Sequence, residues 1–270
     1  MIKKILSRTY IAFIFLFLYA PIAILIFFSF NKARGRGVFT GFTFEWYERL
    51  FSNDLILTSF FNTIIVAAVS SVLATIIGTM AAIGISSFNK KMKSAIMGVT
   101  YISIINPEIV TGVSLMLLFV IMKLKFGFTT LILAHITFNI PYVILNVLPK
   151  LRQQDSSLYE AALDLGCTPI LAFWKVVIPD IFPGIVAGFL MALTYSLDDF
   201  VVSYFTSGIT SQTLPITIYS MTRKRVSPEI NAISTVIFTI VLITLVVINI
   251  KEIKKEKYLT QLKRKFNKNN

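Results

Sequence analysis

"LYEAALDLGCTPILAFWKVVIPDIFPG" runs from Leu158 to Gly184 and covers most of the chain's largest polar interruption, Lys150–Asp180. Ser156 or Ser157 can cap a helix, with Glu160 three or four positions on. Glu160, Ala161, Ala162, Leu163, Asp164 and Leu165 favour helix, and Gly166 is a natural stop with Pro169 close behind. A second amphipathic piece, Ile170–Val177, is expected to end at Pro179. The residues alone allow two readings: an interfacial connector between spans, or a rigid knob presented to a partner.

The flanks of this segment are apolar, and so is most of the chain. Of 270 residues, 56% are hydrophobic and 14% charged, and the mean hydropathy is +0.77. A soluble domain keeps about 25% of its residues charged, so the chain is a membrane protein. The uncharged runs are Thr9–Phe30, Leu55–Asn89, Ser94–Pro107 with Ile109–Met122, Phe126–Pro149, Ile181–Leu197 and Ile230–Ile250. A bilayer core of about 30 Å needs about 20 helical residues, so six spans fit. The second run starts with polar Thr58, Ser59, Asn62 and Thr63, which leaves Ile64–Ile85 as its buried part. The apolar stretch after Lys3 and Lys4 is longer than the roughly 7–15 residues of a signal-peptide core, and reads as a retained first span.

Residues 1–54 form the first span and an outer loop, residues 55–250 the five-helix core, and residues 251–270 a basic tail. The net charge is +13, but eight basic residues sit in that tail beside the last span. Its location argues against nucleic acid; such a tail can attract anionic headgroups, but the simpler reading is a topology signal. With both termini inside, Lys3, Lys4, Arg8, Lys90, Lys91, Lys93, Lys150, Arg152 and Lys175 are cytoplasmic. Arg223, Lys224 and Arg225 oppose the rule. Cys167 is the single cysteine, so no internal disulfide exists, and it reads as a small reduced filler. His135 is the single histidine, too few ligands for a Cys/His metal site. No phosphate-binding glycine loop and no Ser/His/Asp set appear in a loop, so no catalytic site is expected. Gly184 and Gly188 form a GxxxG pair that allows close helix contact in lipid.

Glu160-Ala161-Ala162, then Gly166, then Val176-x-Ile178-Pro179 resembles the EAA motif of ABC importer permeases. Val176 and Ile178 stand where that pattern has Ile and Leu. "LYAPIAILIFFSFN", "NPEIVTGVSLMLLF", "HITFNIPYVI", "SLDDFVVSYFTSG" and "LPITIYSMTRKRVSPEINA" extend the resemblance, over nearly the whole chain, to permeases of spermidine/putrescine importers. The resemblance implies an all-α, six-span, type I importer fold in a bacterial cell membrane. It implies that residues 156–170 are a coupling helix, with Glu160, Ala161, Ala162, Gly166 and Pro179 in the coupling segment. It implies a second permease, an ATPase dimer that binds the ATP and Mg, and an external polyamine-binding protein. No cofactor is implied for this chain.

Three acids interrupt the apolar runs. Glu108 lies about 21 Å along the third span and Asp198 about 21 Å along the fifth, at 1.5 Å per residue. An intramembrane carboxylate costs roughly 2.5–3.5 kcal/mol and usually faces a bundle interior or a wet path. Asp198 and Asp199 would stand about 100° apart on a helix, with Tyr195 one turn back. Acid beside aromatic face suits an alkylammonium. The hypothesis is a cation-attracting ring of Asp198 or Asp199 with Tyr195 and Glu108. Against it, Glu108 follows Pro107 and can mark a broken helix, an aspartate can cap a following segment, and Asp199 can bond His135. His135 reads as packed and hydrogen-bonded; Phe173 and Trp174 read as interface anchors. Two other functions remain: an importer for a different small solute, or a secondary transporter or channel using the acids as an ion relay. The relay leaves Glu160–Pro179 unexplained.

Overall fold

The computed structural model describes residues 2–33, 38–224 and 228–239, with 242, 243, 246 and 250. The basic tail 251–270, Arg225 and a third of the sixth expected span, Ile230–Ile250, lie outside the described residues; 228–239 are helical. The chain forms two compact units, Met1–Asp54 with Ser220–Asn270, and Leu55–Tyr219.

In the first unit, α1 (Ile2–Ser29) carries Lys3, Lys4 and Arg8 near its start and no charge after them, and Leu6–Ser29 is long and apolar enough to cross a bilayer. Many of its apolar side chains, Phe13 and Phe17 among them, stay exposed, as suits a helix solvated by lipid. A tight knot follows it. Trp46 of α2 (Glu45–Ser52) donates its indole N–H to the Asn31 carbonyl at 2.7 Å. The Asn31 side-chain oxygen accepts the Thr40 N–H, and Phe30 stacks on Phe42 and Tyr47.

The second unit opens with α3 (Asp54–Ser87). It is one continuous helix, longer than the expected Ile64–Ile85. Its polar start is buried because it holds chain rather than water: Asn62 donates to the Gln212 carbonyl, Leu214 N–H donates to Thr63, and Ser59 meets Thr217.

The third expected span does not cross straight. It divides into α4 (Lys90–Ile105) and α5 (Glu108–Ile121), bent by 103°. A proline disfavours helical geometry in the residue before it, and Asn106 is extended at φ −62, ψ 132. The straight-rise depth of Glu108 is therefore wrong.

α6 (Phe128–Gln153) and α9 (Ile178–Asp198) form the central pair. Lipid tails are as apolar as leucine, so close packing of small residues drives such contacts. A Cβ on Gly184 would stand 2.9 Å from the Asn146 carbonyl, and one on Gly188 3.2 Å from the Val143 Cα. Gly78 of α3 meets the same Val143, where a Cβ would lie 2.7 Å from its own. Val143 thus fits between two glycines, and Val147, Leu148 and Ile181 fill the core beside it.

The polar interruption folds as α7 (Ser156–Asp164), a glycine turn, and α8 (Pro169–Ala172). Asp155 caps α7, not either serine: its carboxylate accepts the Ser157 N–H at 3.0 Å. Nor does the chain stop at Pro179. A π-helical turn, Phe173–Val177, joins α8 to α9, so Pro169–Asp198 runs on as one apolar helical stretch. A π turn shifts the hydrogen-bond register, just upstream of the proline that lacks a donor. α10 (Val201–Thr206) and α11 (Leu214–Lys224) follow.

Candidate functional site

Two helix breaks meet in the second unit. One separates α4 from α5 at Asn106–Pro107, and the other separates α9 from α10 at Asp199–Phe200. α5 and α10 pack together: Leu115, Phe119 and Val202 share a core with Ala134 of α6. Gly112 allows the approach, since a Cβ there would lie 3.0 Å from the Phe205 ring. Broken helices are tolerated at membrane depth where the freed backbone lines a cavity or is buried in protein.

A cavity of about 240 Å³ opens between the breaks, lined by Glu108, Tyr142, Tyr195, Asp198, Asp199 and Phe200 among others. Glu108 is the first residue of α5, where a carboxylate favours the helix dipole. Tyr195 of α9 stacks on Tyr142 of α6, with ring centroids 4.2 Å apart. Tyr142 was not singled out in the sequence; its signal is the helix pairing, invisible without partners. Phe200 continues the aromatic wall toward Tyr204 and Tyr219.

The adjacent aspartates have separate surroundings. α9 ends at Asp198, and Asp199 is extended at φ −63, ψ 121, so the two are not neighbours around one helix as the sequence suggested. Asp198 is exposed to the cavity. The Asp199 side chain is 5% exposed. It accepts the main-chain N–H groups of Val202 at 3.2 Å and Ser203 at 2.7 Å, amides that the first turn of α10 leaves without helical partners.

Behind Asp199 lies a buried polar chain. His135 is fully buried. Its Nδ1 meets Ser196 at 3.1 Å and its Nε2 meets Ser203 at 2.9 Å. Asn139 donates to Ser196 at 2.7 Å, and Ser70 of α3 reaches Ser196 at 3.1 Å. One network therefore joins α3, α6, α9 and α10, and buried polar groups require such partners.

The Glu160–Pro179 residues stand apart from this cavity. Gly166 N–H donates to the Leu163 carbonyl and Cys167 N–H to the Ala162 carbonyl, the paired bonds of a Schellman cap. Gly166 has φ +86, a left-handed conformation that glycine adopts freely. Leu165 is 87% and Ile170 74% exposed, so the turn presents apolar side chains outward. Trp174 is also exposed. Among the described residues no cluster of three metal-ligating side chains exists.

Residues 74–253, which include both helix breaks and the glycine turn, match the family described as binding-protein-dependent transport system inner membrane component. The chain is 38% identical over 240 residues to the spermidine/putrescine transport system permease protein PotC of Haemophilus influenzae, covering 89% of this chain and 93% of that one. It is 37% identical over 230 residues to the putrescine transport system permease protein PotI of Escherichia coli K12, covering 83% and 82%. Among solved structures, a chain of a bacterial ABC transporter involved in import of the acidic polysaccharide alginate superposes with TM-score 0.68 at 17% identity, covering 93% of this chain and 96% of that one. An amino acid ABC transporter with histidines superposes with TM-score 0.55 over 75% of this chain and 94% of that one. The fold is that of an ABC importer permease, and the chain belongs to the family of binding-protein-dependent transport system inner membrane components.

Proposed function

We propose that this chain is a multi-pass permease subunit that passes polyamines, spermidine or putrescine, from an external binding protein to the cytoplasm. The observation that carries the reading is the cavity at the two helix breaks, where Glu108 and Asp198 stand beside the stacked Tyr142 and Tyr195. Carboxylates attract an alkylammonium, and aromatic faces add cation–π attraction once water is excluded. Relatives over most of the chain bear the names of spermidine/putrescine and putrescine permeases, and acids in the path disfavour an anionic cargo. The cavity, about 240 Å³, is smaller than the roughly 300 Å³ of the smallest usual ligand pockets, consistent with a path completed by a second permease.

Nothing covalent happens to the cargo, and the chain carries no catalytic site of its own. ATP and Mg belong to a partner ATPase dimer. Glu160, Ala161, Ala162, Gly166 and Pro179 form the handle that the ATPase grips, with α7 as its rigid part. Both termini are cytoplasmic in this reading. ATP-driven closure of the ATPase shifts the permease pair between outward and inward states, a change in populations. The test is uptake of labelled spermidine into liposomes. Transport requires the complete importer and ATP, and this chain reconstituted alone moves nothing. Uptake by the lone chain would establish a secondary transporter or channel instead.

A further inference from the structure

A second concavity, of about 530 Å³, shares no lining residue with the acidic cavity and lies between α4 and the end of α6. Lys90, Lys93 and Arg152 line it with Met97, Gly98 and Tyr101. Lys90 and Lys93 occupy the first turn of α4, which contains no acidic residue. Cations at a helix N-terminus oppose the helix dipole. The Asn89 side chain caps the Met92 N–H there. Among the described residues, no carboxylate lies within ion-pair distance of Lys90, Lys93 or Arg152. Three cations therefore converge on a concave surface at a positive helix end, with no counterion among the described residues.

The groove has an apolar continuation. From Lys90 to Tyr101, α4 rises about 16 Å, from the basic end toward membrane depth. Met97 is buried, Tyr101 is exposed, and a Cβ at Gly98 would meet nothing within 4 Å. A charged head with an apolar trough behind it fits an amphiphile, whereas a free anion would use the head alone. We propose that this groove binds an anionic phospholipid, its phosphodiester held by Lys90, Lys93 and Arg152 and an acyl chain lying along Met97, Gly98 and Tyr101. Arg152 presents a planar fork suited to two phosphate oxygens, and the lysines act as point charges. The anchored lipid would fix the outer face of α4 beside the foot of α6.

The test is native mass spectrometry of the full chain titrated with phosphatidylglycerol or phosphatidylcholine. The wild type should retain phosphatidylglycerol preferentially. Lys93→Gln with Arg152→Gln should weaken that retention roughly 20- to 30-fold, at about fivefold per cation. Lys91→Gln with Lys175→Gln removes two charges outside the groove and should change it less than about twofold. Gly98→Phe, which fills the open trough, should also release the lipid while the melting temperature holds. The proposal is overturned by equal retention of the two lipids. It is equally overturned if the groove pair retains the lipid, or if the control pair loses as much. Displacement of the lipid by inorganic phosphate at matched ionic strength would assign the groove to a soluble anion and overturn it too.

Discussion

Asp199 Oδ2 lies 3.6 Å from His135 Nε2, yet its hydrogen bonds go to the main-chain N–H groups of Val202 and Ser203. Asp198, one residue earlier, faces the cavity. Two adjacent carboxylates thus have two different duties, one toward the cavity, the other toward the backbone of the next helix.

Separate substitutions should divide these duties. Asp198→Asn should lower spermidine uptake about two- to fivefold, the factor of roughly 0.5–1 kcal/mol in an exposed charge interaction, with the melting temperature unchanged. Asp199→Ala removes acceptors from the first turn of α10 and should destabilise the protein by about 1 kcal/mol, the usual cost of a lost cap. The readouts are labelled-polyamine uptake and thermal melting in detergent. Unchanged uptake by Asp198→Asn would remove that carboxylate from the path.

Gly166 is left-handed at φ +86 with open space around it. Gly166→Ala should cost roughly 1–2 kcal/mol in backbone strain alone. Gly166→Arg adds bulk at the proposed ATPase contact and should abolish ATPase stimulation while the protein still inserts. ATP turnover by the assembled importer measures this, with membrane abundance as the control. Normal stimulation by Gly166→Arg would refute the handle.

Val143 sits against Gly78 and Gly188. Gly78→Ala should destabilise by about 1–3 kcal/mol, as overpacking does. Val143→Ala in the same chain should recover part of that loss, because it removes the Cγ1 methyl that would lie 2.8 Å from a Gly78 Cβ, while the Val143 Cβ at 2.7 Å remains. Melting of the three variants decides it; strictly additive effects would mean the two sites do not share this contact.

Asp155 lies outside the spans, and hydrogen bonding from Ser157 lowers its pKa below the usual carboxylate value. A depressed folded-state pKa contributes stability above the unfolded value, lost as pH falls through the folded one. Protection of the first α7 amides against hydrogen exchange, corrected for intrinsic rates, should be flat from pH 6 to 8 and fall below about pH 4. Asp155→Ala should lose that protection at every pH, and Asp155→Asn should keep most of it and remove the acid dependence.

Much of the fold was legible because membrane helices announce themselves by length and apolarity. α1, α3, α6 and α9 are the long apolar runs, and Gly166 closes α7 where its residue type requires. The bend at Asn106–Pro107 was legible as a possibility, since Pro107 acts on its neighbour through local sterics. The cap was misplaced by one residue because Asp155, Ser156 and Ser157 are all good caps, and only backbone geometry selects among them. Pro179 was misread as a stop because the π turn that accommodates it leaves no mark on composition.

The sequence by itself determined that this chain spans a membrane, that α7 ends at a glycine, and that acids interrupt the third and fifth apolar runs; each follows from local chemistry. Only the tertiary structure decided that both interruptions border one cavity, that Tyr142 joins it, and that Asp198 faces it while Asp199 caps α10. These depend on which helices pack together. That packing is set by the fit of Val143 against Gly78 and Gly188, and of α10 against Gly112, between residues distant along the chain.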